Sequence, residues 1–163
     1  MFKIGQKVFS KNSGICLIVA MEEINFGIGT QEYFVLESYF NKGSKTYIPV
    51  NKADVQLRNL ITKAEVKKLL KHLSSCERVW ISDPKLRRQK FEEMYKANDL
   101  YIICQLVKSL YIQNEELKTQ KKSLSMLDKD FLDKMMKDLK EEMSLALNVD
   151  LNKMQEEIEK HLN

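Results

Sequence analysis

At 163 residues, 44% hydrophobic and 31% charged, the chain has room for one domain or two small ones and enough apolar side chain to close a core, which excludes a disordered chain. Its formal charge of +4, from 27 basic and 23 acidic residues, is too small to name a nucleic acid as partner by itself. No run approaches the roughly 20 apolar residues of a membrane helix, no signal-peptide pattern follows Lys3 and Lys7, and Cys16, Cys76 and Cys104 lack the paired spacing of disulfide frameworks or zinc clusters.

The expectation is therefore a reduced, cytoplasmic protein with no membrane segment, metal or cofactor. The first 60 residues read as strands. Lys7-Val8-Phe9 leads into a turn over Lys11-Asn12-Ser13-Gly14, and Ile15 to Ala20 is strongly β-prone. Gly27 and Gly29 suit a hairpin connection between Ile24 and Gln31. Tyr33 to Glu37 and Lys45 to Val50 read as two further strands, with Pro49 at an edge because it cannot donate to a ladder. Gly5 permits a tight bend before the first strand. Four or five short strands of this kind make a small curled antiparallel sheet, closed or half-closed into a barrel.

After Leu60 the period changes. Thr62-Lys63-Ala64-Glu65 is a capping box, and Val66, Leu69, Leu70 and Leu73 predict a helix over about 61–73. Ser74, Ser75 and Cys76 break the pattern before Trp80. Asp83-Pro84 starts a basic helix carrying Leu86, Phe91, Met94 and Tyr95. Asn98-Asp99 interrupts it and caps the next, whose face is Ile102, Ile103, Leu106, Val107 and Leu110. Polar residues 113–122 are expected to end that helix in a loop. Ser125 to Asp128 is another capping box, ahead of a long amphipathic helix, and Asp150 caps a last one through Met154, Ile158 and Leu162. No heptad persists, so these helices form a compact bundle. The expected fold is α+β, with residues 1–60 as one domain and 61–163 as a helical second.

Catalysis finds little support. His72 and His161 sit near predicted helix ends, with no local nucleophile or acid beside them, and read as exposed or capping residues. Gly27-Ile28-Gly29 lacks the further glycine and βα context of a dinucleotide site, and no phosphate loop exists. The reading is not an enzyme: no catalytic, cofactor-binding or metal-binding residue is assigned. Methionines at 126, 135, 136, 143 and 154 fit core packing better than an adaptable groove.

Charge distribution says more than net charge. Residues 1–60 carry seven cations against five acids, residues 61–96 ten against five, and residues 97–163 ten against thirteen. Lys85, Arg87, Arg88 and Lys90 cluster within one or two helical turns, downstream of Arg78 and the lone Trp80. Guanidinium and ammonium groups meet phosphates while an aromatic wedge separates or stacks on bases, so the cluster is a candidate DNA face. The plainer reading is a solvated basic helix, with Trp80 sealing a domain junction.

The segments Phe2-Lys3-Ile4-Gly5-Gln6-Lys7-Val8-Phe9, Gly14, Glu32-Tyr33-Phe34-Val35-Leu36 and Thr46-Tyr47-Ile48-Pro49-Val50-Asn51 resemble the CarD family of bacterial transcription regulators, whose first domain also occurs in transcription-repair coupling factor. The helical organisation after residue 60 resembles it too. The resemblance implies a Tudor-like or SH3-like barrel that binds the β subunit of RNA polymerase through its sheet edge. It also implies a helical domain that touches promoter DNA with basic residues and a tryptophan at the upstream edge of the bubble. Such a protein modulates open-complex stability.

Carried onto this chain, the polymerase-facing residues are Met21, Ile24, Tyr33 and Tyr47, and the DNA-facing ones are Trp80, Lys85, Arg87, Arg88 and Lys90. Ile24 and Tyr47 stand where relatives place arginines. Trp80 precedes Arg87 and Arg88 by seven and eight positions, where the family pattern sets the aromatic residue directly before the pair. A monomer is favoured. The competing functions are a protein–protein adaptor without DNA contact and, less favoured, a small enzyme with a site between domains.

Overall fold

The computed structural model describes residues 1–163, which divide into two compact units, Met1–Leu60 and Ile61–Asn163. The first holds β1 (Lys7–Ser10), β2 (Gly14–Asn25), β3 (Thr30–Ser38), β4 (Lys45–Pro49), a 3-10 turn (Val50–Lys52), α1 (Ala53–Gln56) and β5 (Leu57–Asn59). The strands form one antiparallel sheet in the order β4-β3-β2-β1-β5. The sheet is not closed: β4 and β5 are its two ends, so the expected barrel is an open sheet here. A fifth strand too short to show alternation, Leu57–Asn59, lies outside the segments that sequence periodicity marks.

One face of this sheet is apolar. Val8, Cys16, Ile18, Phe34, Leu36, Ile48 and Leu57 pack there with Ala53 of α1. Gly5, at φ +86, makes the predicted bend and donates its N–H to the Ile18 carbonyl at 2.7 Å; a side chain in that left-handed region is strained. Between Ile18 and Ala20 the pairing of β2 with β3 shifts, leaving Val19 as an extra residue. This bulge reverses the alternation of the second half of β2.

The second unit holds α2 (Lys63–Ser75), α3 (Pro84–Lys96), α4 (Leu100–Thr119), α5 (Met126–Leu147) and α6 (Leu151–Leu162). Helices α2, α4, α5 and α6 pack on one another, and α3 packs on α4. Their buried stripes meet in a core built on Leu69, Leu73, Leu106, Leu110, Leu139 and Ile158. Met135, Met136, Met143 and Met154 are buried in the same core, as expected of methionine at helical spacing, while Met126 is exposed. Helix α4 runs to Thr119, not ending in a loop after Leu110: the polar residues from Gln113 onward are its solvated continuation, and Tyr111 and Leu117 still pack on the core.

The predicted starts are made by side-chain caps. Asp83, Asp99, Ser125 and Asp150 accept from the first turns of α3, α4, α5 and α6. At α2 the box is complete: Glu65 N–H donates to Thr62 Oγ1 at 3.3 Å, and Thr62 N–H donates to Glu65 Oε2 at 2.6 Å. Thr62→Ala is expected to cost about 1 kcal/mol, read as a lower urea midpoint at unchanged denaturant slope.

Candidate functional site

Strand pairing decides which of the candidate residues on the sheet can act together. Paired residues share a face and neighbours in a strand alternate. Pairs Glu22↔Tyr33, Ile24↔Gln31, Tyr33↔Pro49 and Val35↔Tyr47 therefore put Ile24, Tyr33 and Tyr47 on one face, away from the apolar core. Met21 pairs with Phe34 and belongs to the other face. Strict alternation from the core residue Ile18 would point Ile24 inward; the bulge at Val19 is what turns it out.

Tyr47 is 44% exposed and stands on β4, an edge strand whose outer backbone groups pair with no other strand. At the β2–β3 turn, Phe26 and Ile28 are 65% and 96% exposed, and Phe26 meets Tyr33 edge-on at 5.4 Å. Sequence reading passed over these two because apolar residues beside glycines look like ordinary turn filler. A hairpin tip with bare apolar side chains next to an open edge suits docking to another protein.

In the helical unit the residues of interest gather around Trp80. The segment 76–83 between α2 and α3 is irregular but firmly tied. Gln105 donates to the Glu77 carbonyl at 3.2 Å, Val79 N–H donates to Ser109 Oγ at 2.8 Å, and Arg78 pairs with Glu116 at 2.8 Å and bonds Gln113. From the other side Arg87 donates Nη1 to the carbonyls of Ile81 at 2.7 Å and Ser82 at 3.3 Å. Its Nη2 meets Asp128 Oδ2 at 2.8 Å. Asp128 also accepts from Ser125 Oγ at 2.9 Å.

Trp80 rests on this clamp. The Arg87 guanidinium carbon lies 4.2 Å from the indole ring centroid, and Phe91 meets the ring edge-on at 6.4 Å. The indole is partly buried against the core and its N–H makes no hydrogen bond within the chain. A partly exposed ring held by a cation beneath it and fixed backbone on both sides keeps its place without a ligand.

Arg87 is thus not on the free basic face expected of it. It is 6% exposed, because its fork is used up by two carbonyls, Asp128 and the indole. Lys85, Arg88 and Lys90 are exposed. Arg88 pairs with Glu92 at 2.9 Å and Lys90 with Glu93 at 3.1 Å, while Lys85 makes no ion pair. The hydrogen bond from Lys90 holds the Glu93 carboxyl below its ordinary range. Exposed pairs of this kind are worth about 0–1 kcal/mol, so these cations exchange readily for phosphate oxygens. Asp128, which sequence reading saw only as part of a capping box, is the partner that fixes Arg87.

A groove of ≈ 240 Å³ lies beside the clamp, between α3 and α5, lined by Phe91, Leu127 and Phe131 with Arg88 and Lys134 at its rim. No group of three or more His, Cys, Asp or Glu side chains is placed to hold a metal ion. The three cysteines are free, and burial pushes the Cys16 thiol up to about 11 and the Cys104 thiol up to about 12, so neither is a ready nucleophile. His72 contacts the Tyr101 carbonyl at 3.2 Å and His161 the Glu157 carbonyl at 2.8 Å. No helix is long and apolar enough to cross a membrane.

Comparison with known families gives two matches that run through nearly the whole chain. Residues 2–61 match the CarD-like/TRCF RID domain, and residues 58–159 match the CarD C-terminal domain. No curated protein matches.

Proposed function

Because the chain belongs to the CarD-like family, we propose that it is a transcription regulator that bridges the RNA polymerase β subunit and promoter DNA and so modulates open-complex stability. The family is one of transcription-associated, polymerase-interacting proteins. The finer assignment is carried by the Trp80 platform: an aromatic ring pre-positioned on Arg87, next to the exposed cations Lys85, Arg88 and Lys90. Such a surface can meet phosphates and an unstacked base together. Arg87 acts here as a positioning residue.

Polymerase docking is assigned to the sheet unit. Ile24, Tyr33 and Tyr47 form the contact face beside the free edge of β4, the hairpin tip adds Phe26, packed on Tyr33, and Ile28, and Met21 contributes from the other face of the sheet. Hydrogen bonding along an edge strand supplies affinity without charge pairing, which suits a chain that carries Ile24 and Tyr47 where arginines were expected. Docking raises the effective concentration of the helical unit at the promoter, so weak intrinsic DNA affinity is enough. Preferential contact with the opened promoter shifts the equilibrium toward it.

The adaptor reading draws on one observation, that Arg87, Arg88 and Lys90 are each ion-paired within the chain. Salt dependence separates the two, since phosphate binding weakens steeply with salt. The test is the lifetime of the open complex formed by polymerase of the same organism, with and without the protein, across a salt series. A changed lifetime is expected, and Ile24→Asp with Tyr47→Asp is expected to abolish it while weakening polymerase binding at least about tenfold, or about 1.4 kcal/mol. An unchanged lifetime alongside intact polymerase binding would leave the adaptor.

A further inference from the structure

Helix α2 carries the densest set of unpaired cations in the second unit. Lys63, Lys67, Lys68 and Lys71 are all exposed, and no ion pair joins any of them to a carboxylate. On α3, by contrast, Arg87, Arg88 and Lys90 already hold acids. Lys63, Lys67 and Lys71 follow at four-residue spacing and so form one row along the helix, with Lys68 on the adjoining ridge. The buried stripe of Val66, Leu69, Leu70 and Leu73 faces the opposite way. Ala64, Ser74 and Ser75, all small and exposed, lie among the lysines, so nothing bulky shields them.

Two features of this row are unfavourable in the isolated protein. Like charges four residues apart repel. Lys63 also sits in the first turn of α2, where the helix dipole already presents positive charge and disfavours cations. The one acid of the first turn, Glu65, is turned back onto Thr62, whose N–H and hydroxyl it accepts at 2.6 and 2.8 Å. The row therefore presents a positive field on the outer face of α2, strongest at its Lys63 end, and a polyanion relieves it.

We infer that the outer face of α2 is a second DNA-backbone contact, in which Lys63, Lys67, Lys68 and Lys71 neutralise phosphates of the duplex independently of the Trp80 platform. This rests on the reading that the helical unit touches DNA. It places the larger share of the sequence-independent affinity on α2, since of Lys85, Arg87, Arg88 and Lys90 on α3 only Lys85 is without an ion pair.

The test uses the full chain and a fluorescent duplex of arbitrary sequence, with binding followed by anisotropy across a salt series. The variants are Lys67→Ala/Lys68→Ala/Lys71→Ala and, as a gentler control, the same three positions changed to Gln. All three side chains are exposed and alanine is a strong helix former, so folding is retained and is checked by circular dichroism. The plot of log affinity against log salt is expected to become shallower by roughly 2 to 3, at about 0.9 per phosphate contact. An unchanged slope in variants that still bind would overturn the α2 surface while leaving DNA contact at α3 and Trp80. No salt-dependent binding by the unaltered protein would overturn DNA contact as a whole. Loss of polymerase association at unchanged slope would overturn the inference by making α2 a docking face for an acidic protein surface.

Discussion

Arg87→Ala is expected to lower the unfolding free energy of the helical unit by about 3–5 kcal/mol, a large share of the roughly 5–15 kcal/mol typical of a folded domain. The guanidinium is 6% exposed and satisfies three groups at once: the carbonyls of Ile81 and Ser82 and the carboxylate of Asp128. Removing it strands a partly buried carboxylate and two carbonyls and takes the support from under Trp80. Most of the loss comes from the groups left behind, so the double variant Arg87→Ala/Asp128→Ala is expected to cost less than the two single losses added together. Arg87→Lys recovers little, because one ammonium cannot reproduce a fork with two directions.

Urea unfolding measures the cost, and Trp80 provides the local probe, since it is the only tryptophan in the chain. Its emission is expected to shift toward that of a solvated indole in Arg87→Ala before the unit unfolds. A loss below about 1 kcal/mol, the range of exposed pairs, together with unchanged emission, would show that Arg87 is not what holds the platform.

The position of Arg87 also marks where sequence reading stopped. Helix starts were legible because each is encoded within four residues: Thr62 with Glu65, Asp83 with Pro84, and Asp99, Ser125 and Asp150. Long apolar stripes located the bundle core for the same local reason. The tie between Arg87 and Asp128 spans 41 positions, and nothing in either neighbourhood signals the other, so a buried structural arginine looked like one more cation of a basic run.

The sheet shows a second kind of limit. Its strands were legible from alternation, but the face to which Ile24 belongs depends on one extra residue at Val19, and a bulge in a uniformly apolar segment leaves no local mark. Closure was equally hidden: β4 and β5 are neighbours in the chain, joined by the turn Val50–Lys52 and α1, yet they lie at opposite ends of the sheet and do not pair, and strand periodicity carries no signal for which strands pair. Helix α4 erred in the opposite direction, because polarity ends the buried stripe without ending the hydrogen bonding of the backbone.

Trp80→Ala is expected to reduce the change in open-complex lifetime produced by the protein by roughly fivefold or more, the effect of losing one stacking contact of about 1–3 kcal/mol. Affinity for closed duplex should move by less than about threefold, since that term belongs to the cations. The asymmetry follows from geometry. The Arg87 guanidinium lies 4.2 Å from the indole centroid, Arg78 lies 6.0 Å from it and Phe91 meets the ring edge-on, so the ring is fixed in place and only its exposed part is offered to a base that has left the stack. A base within closed duplex presents no such face, and the contact therefore favours the opened state alone. The rival account is that Trp80 is packing for the core, in which case Trp80→Ala lowers the urea midpoint and both promoter and duplex effects fall with the folded fraction. Measuring lifetime, duplex affinity and unfolding on the same preparation separates the two: a selective loss of lifetime identifies a wedge, whereas a common loss that vanishes once the folded fraction is corrected identifies a core residue.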